Sequence, residues 1–94
     1  MTSQKLFSDA LQLLEAGSIH HGEDKLRSAL SVAEREGNRL VVGGALYCLG
    51  ELLVDQQRTQ EAVPLLEQLA AMEHENALTL EVDRAQELLV NVSA

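Results

Sequence analysis

Apolar residues recur along this chain at steps of three and four, the spacing that places them on one face of an α-helix. Leu6, Ala10, Leu13 and Gly17 follow this rule, with Phe7, Leu11 and Leu14 widening the face. The pattern predicts a first helix from Leu6 that Gly17-Ser18 ends, after a short fraying lead-in from Met1 to Lys5 in which Thr2 or Ser3 is available as a cap. A linker, Ile19-His20-His21-Gly22, leads to a second helix beginning between His21 and Glu23 and running to Glu36, with Leu26, Leu30 and Ala33 as its stripe. Gly37-Asn38 closes it.

The third predicted helix spans Arg39 to Gln56, with Gly43-Gly44 marking either an irregular first turn or a close backbone approach. A polar break at Gln57-Arg58 separates it from a fourth helix with Thr59 as candidate cap, Glu61 near its positive end and Pro64 in its second turn. The last helix is expected from Glu75 or Asn76 to Asn91, through Leu78, Val82, Ala85, Leu89 and Val92. Runs of alternating β-branched residues are lacking, so the expectation is an all-α chain of about five helices.

The spacing between the third and fourth helices carries more than periodicity. Leu46-x2-Leu49-Gly50-x2-Leu53, followed by Ala62-x3-Leu66, resembles the tetratricopeptide repeat (TPR), including the interval from Leu46 to Ala62. Gly50 stands where a side chain would hold a neighbouring helix away, and Ala62 supplies a second small contact on that neighbour. Upstream, Ala10-x2-Leu13-Leu14-x2-Gly17 followed by Leu26-x3-Leu30-x2-Ala33 keeps the interval, but puts Leu14 in the place of Gly50 and Leu26 in that of Ala62. That pairing makes the first unit either degenerate or a cap. The resemblance implies antiparallel helical hairpins in a short right-handed solenoid, one TPR-like domain over residues 1–94 with hairpins at 6–36 and 39–72 and a closing helix at 75–92. An ordinary antiparallel bundle, in which Gly50 merely allows one close crossing, is the alternative.

Composition narrows the chemistry. Ninety-four residues, 46% of them hydrophobic and with Phe7 and Tyr47 the only aromatics, require an aliphatic core. A domain of this size hides about 60 to 65% of its unfolded surface, so contact with a partner or a second copy would help it. The lone Cys48 excludes an internal disulfide and, within a helix, suggests a mostly buried, inert thiol. No apolar stretch approaches the length of a membrane span and no signal segment opens the chain, which makes cytoplasmic the economical expectation.

The net charge of −8 is distributed unevenly: six acidic and five basic residues fall in 1–42, against nine acidic residues and only Arg58 and Arg84 in 43–94. An acidic half repels nucleic acid and anionic lipid and steers toward basic partners, though it also serves solubility. Adjacent His20 and His21, beside Glu23 and Asp24, do not converge as metal ligands, and His74 sits beside Glu73 and Glu75 at a junction. Glu15, Glu51, Glu61 and Glu67 lack the Glu-x-x-His companions of a diiron bundle. The expectation is a chain without catalytic residues, metal or cofactor.

The resemblance implies a binding surface on the first helix of the central hairpin: Gly44, Tyr47, Glu51, Val54 and Asp55, with Tyr47 as anchor and the two carboxylates receiving basic groups. Leu46, Leu49, Gly50, Leu53, Ala62 and Leu66 are the packing set. The functional expectation is a small interaction module, an adaptor, co-chaperone or assembly chaperone, for a basic or amphipathic segment of a protein partner. Its competitors are a self-assembling subunit, such as a homodimer, and a regulatory subunit of a larger complex.

Overall fold

The computed structural model describes residues 2–72 and 79–93, Thr79 and Ser93 by backbone alone. Five α-helices and no strand occur among them: α1 (Ser3–Glu15), α2 (Ile19–Glu36), α3 (Arg39–Asp55), α4 (Thr59–Ala70) and α5 (Thr79–Ser93). His74 and the expected start of the last helix lie outside the described residues. Two compact units divide the chain, Met1–Ala45 and Leu46–Ala94, and the division falls inside α3.

In the first unit α1 packs on α2. The helix starts at Ser3, earlier than the expected fraying segment allows, because Thr2 caps it through Oγ1, which accepts from Lys5 N at 3.2 Å. Ser3 is fully buried, and its hydroxyl donates to Glu36 Oε1 at 2.6 Å while accepting from Asn38 Nδ2 at 3.4 Å. The beginning of α1 is thereby tied to the end of α2. Asn38 Oδ1 also accepts from Val41 N at 3.3 Å, so the same side chain helps start α3. Despite Gly43-Gly44, α3 is regular from Arg39 onward. The glycine at 44 answers to a close approach instead: a Cβ there would lie 3.0 Å from Cζ of the Phe7 ring.

The second unit is built by the later part of α3, α4 and α5, with α5 packed on α4. Leu46, Leu49, Leu53, Ala62, Leu66 and Leu69 are fully buried, and Val82 and Ala85 of α5 are buried as well. A Cβ on Gly50 would stand 2.5 Å from Cδ2 of Leu66, well inside contact distance, so α3 and α4 approach as they do because position 50 has no side chain. Thr59 is the first helical residue of α4 and not its cap; the cap position belongs to Arg58, which makes no side-chain cap bond. Arg58 pairs instead with Glu61, Nε to Oε2 at 2.6 Å and Nη2 to Oε1 at 2.8 Å.

The two hairpin turns share one geometry. After α1, Gly17 takes φ +85° and Ser18 N donates to Leu13 O; after α3, Gln57 takes φ +61° and Arg58 N donates to Leu53 O. The next helix then begins with matching bonds, Gly22 N to Ser18 O and Ala62 N to Arg58 O. Residue 17 therefore corresponds to 57 and residue 22 to 62, an interval of 40. This corrects the 36-residue pairing of Leu26 with Ala62, and it moves the start of α2 back to Ile19, so that His20 and His21 are helical.

In the corrected register Leu6-x2-Asp9-Ala10-x2-Leu13 matches Leu46-x2-Leu49-Gly50-x2-Leu53, and Gly22-x3-Leu26 matches Ala62-x3-Leu66. Each hairpin has one alanine and one glycine at the crossing, Ala10 with Gly22 and Gly50 with Ala62, all buried. Leu14 is thus not a substitute for Gly50; its side chain lies against Gly22, where a Cβ would be 2.5 Å from Leu14 Cδ2. Two positions depart: Leu49 and Leu53 are fully buried, whereas Leu13 is half-buried and Asp9 is partly exposed and pairs with Lys5 at 2.9 Å.

Candidate interaction surface

Helix α3 carries Gly44, Tyr47, Glu51, Val54 and Asp55 on one stripe, since their steps of three, four, three and one keep them within one face. Glu51 and Asp55 are exposed, Tyr47 and Val54 half-buried. Gly44 is already covered in part by the Phe7 ring. The six residues of the packing set are all buried beneath this stripe.

Tyr47 and Glu51 are joined on the stripe by a side-chain hydrogen bond. Its hydroxyl donates to Glu51 Oε2 at 2.8 Å, one helical turn away. Burial pushes the phenol above its ordinary pKa, and the hydrogen bond to Glu51 adds to the rise because it needs the proton in place. Arg84 of α5 opposes this rise, because a neighbouring cation favours the phenolate. Arg84 itself is held above its usual value, chiefly by its interaction with Tyr47, with Glu87 and Glu51 adding smaller attractions. The side chains of Tyr47 and Glu51 therefore form one hydrogen-bonded group within the second unit.

Arg84 did not stand out in the sequence, where Asp83-Arg84 reads as part of a solvated face. A usable signal was available for the other aromatic residue. Phe7 and Tyr47 each stand ten residues before the left-handed turn residue, so the only two aromatics occupy one position of the 40-residue register. Phe7 meets the helix that comes next but one in its own unit, at Gly44 of α3.

Cys48 adjoins this group and is half-buried. Burial, and secondarily the charges of Glu51 and Glu81, raises its pKa to about 11 from a starting value of 9. A rise of this size cuts the thiolate population about a hundredfold near neutral pH. Alkylation of Cys48 by iodoacetamide at pH 8 is therefore expected to run about a hundredfold slower in the folded protein than in the urea-unfolded chain. Equal rates in the two states would contradict this environment.

Among the described residues no group of three or more His, Cys, Asp or Glu side chains is placed to hold a metal ion. His20 and His21 are exposed in the first turn of α2. Within the described residues no helix is long and apolar enough to cross a membrane. Comparison of the chain with family models, curated proteins and solved structures finds no match.

Proposed function

We propose that this chain is a TPR-like interaction module whose α3 stripe, centred on Tyr47 and Glu51, takes a basic or amphipathic segment of a protein partner. The observation that carries the reading is the repeated hairpin: the same turn, the same alanine and glycine pair at the crossing and the same aromatic position recur at 40 residues. Repeats of this kind bury their faces on neighbouring hairpins and expose a side on which binding is achieved without catalytic groups. The charge of the second unit supports a basic occupant, because Glu51 and Asp55 lie exposed on the stripe and would attract and orient cationic side chains.

Capture from soluble extract on the immobilised protein, at low and moderate salt, tests the proposal against a Tyr47→Ala, Glu51→Lys double variant. A stoichiometric heterologous partner is expected to be retained by the parent and reduced at least about tenfold by the variant, a loss of the size that removing one anchor residue produces. Equal retention by both forms would sink the proposed surface.

Exposed apolar side chains favour a second reading, self-assembly. Leu40, Leu80 and Val90 are 59%, 61% and 68% exposed. A mass that rises with concentration, with no foreign partner retained, would select it.

A further inference from the structure

Helix α5 packs on α4 with Val82 and Ala85 buried, which leaves its opposite face exposed. On that face Leu80, Asp83, Glu87 and Val90 follow at steps of three, four and three, a single row about 15 Å long. All four are exposed, and Asp83, Glu87 and Val90 line an open groove together with Gln86 and Asn91. Glu81 and Arg84, the other charged residues of α5, fall outside the row. Of the three large apolar residues exposed among those described, Leu40, Leu80 and Val90, two thus share one face of one helix with both carboxylates between them. Such clustering marks a contact surface where scattered apolar residues do not.

The order of the row decides what can cover it. Its spacing reads the same in both directions, so a second copy laid antiparallel would set Leu80 on Val90 and Asp83 on Glu87. The apolar ends match, but two pairs of like charges meet at the centre and oppose association. A helix with basic residues in those two places keeps the apolar contacts and turns both repulsions into ion pairs. We propose that the row of Leu80, Asp83, Glu87 and Val90 is a docking site for a basic amphipathic helix of a protein partner, of the pattern apolar-x2-basic-x3-basic-x2-apolar. The symmetric spacing accepts that helix in either direction. The inference rests on the interaction-module reading and gives it a second surface, on α5, with a partner of stated pattern. So few contacts make a weak, reversible interface in which the ion pairs set register and partner choice.

The test measures, by anisotropy, binding of the full chain to a fluorescent alanine- and glutamine-based helical peptide carrying leucine-x2-arginine-x3-arginine-x2-leucine. A second peptide of the same composition has both arginines moved two residues along, off the face of the leucines. The parent is expected to bind the first at least about tenfold tighter than the second. Asp83→Lys combined with Glu87→Lys should abolish that preference, and Leu80→Ala combined with Val90→Ala should weaken binding about fivefold or more. All four positions are exposed, so these variants should keep the parent's thermal midpoint. Equal binding of the two peptides would reduce the effect to net charge and overturn the proposal. So would undiminished binding by the charge-reversed variant.

Failures of the two readings separate cleanly. The Tyr47→Ala, Glu51→Lys variant should bind the patterned peptide as the parent does. Binding lost in that variant and kept in the α5 variants would assign the peptide to the α3 stripe, which overturns the α5 site and keeps the module. No binding by the parent removes the α5 site and leaves the module to the capture experiment. Sedimentation of the parent alone decides the other occupant, and a monomer at about 0.1 mM is expected. A dimer that Leu80→Asp dissolves would make a second copy the occupant of the row and overturn its assignment to a basic partner.

Discussion

Leu66→Ala is expected to cost about 2 to 5 kcal/mol, the range for removing a fully buried leucine from a helix-packed core. Leu66 has no exposed surface, and its branched end fills the space over Gly50. A chain of this length has about 5 to 14 kcal/mol of stability in total, so one such cavity removes a large share. The partner experiment is Gly50→Ala. Its new methyl would meet Leu66 Cδ2 at 2.5 Å and Cγ at 2.9 Å, and neither atom can move freely inside a filled core. Overpacking costs about 1 to 3 kcal/mol, offset by about 1 kcal/mol of better helix propensity, which leaves a net loss of up to about 2 kcal/mol.

Combined, the two substitutions should cost less than their sum, because the alanine methyl enters space that Leu66 has vacated. A coupling of at least about 1 kcal/mol, read from urea unfolding of the four species, is the expected outcome. Strict additivity would mean that Gly50 and Leu66 do not share this space, and the hairpin crossing would need another explanation.

Much of this arrangement was legible in the chain, for a specific reason. Leu46, Leu49, Leu53 and Leu66 combine helical spacing with a glycine that has no propensity reason to be mid-helix, so burial and close approach were both inferable. The register of the first hairpin was not. Apolar steps of three and four are satisfied equally well when the pattern slides by one turn, and Ala10, Leu13 and Leu14 offered a plausible but displaced match. The turn decides the register, and its signal is masked at one of two sites: Gly17 announces a left-handed residue, while Gln57 adopts the same conformation without being a glycine.

The site was half legible on similar grounds. Tyr47 and Glu51 are four apart on one helix, a local relation that sequence displays directly. The charge of Arg84 acts on Tyr47 from a different helix, and that influence depends on how α5 lies on the rest of the second unit, which a pattern of charges cannot specify. The buried Ser3 is a parallel case. A serine two residues from the start of the chain reads as a cap or a loose end, and only its bonds to Glu36 and Asn38 make it part of the core.

Pro64→Ala is expected to stabilise the protein by about 1 to 3 kcal/mol. Pro64 is the sixth residue of α4, so its missing N–H leaves the Gln60 carbonyl without its helical partner and its ring crowds that oxygen, a combined cost of about 3 kcal/mol in a regular helix. Replacement returns the bond, less about 0.4 to 1 kcal/mol for the looser unfolded chain. Little packing is lost, because Pro64 is exposed. The corresponding residue of α2 is Asp24, and α2 runs for 18 residues against 12 in α4, so the proline marks the weaker of the two matching helices. Thermal unfolding should show a midpoint raised by about 4 to 8 °C for each kcal/mol gained. An unchanged midpoint would mean that α4 has already relieved the clash by bending. Partner capture provides the internal control: Pro64 lies on α4 and the proposed surface on α3, so a stabilised variant should capture as the parent does. Coupled changes in stability and capture would instead make the order of α4, on which α5 rests, part of the binding mechanism.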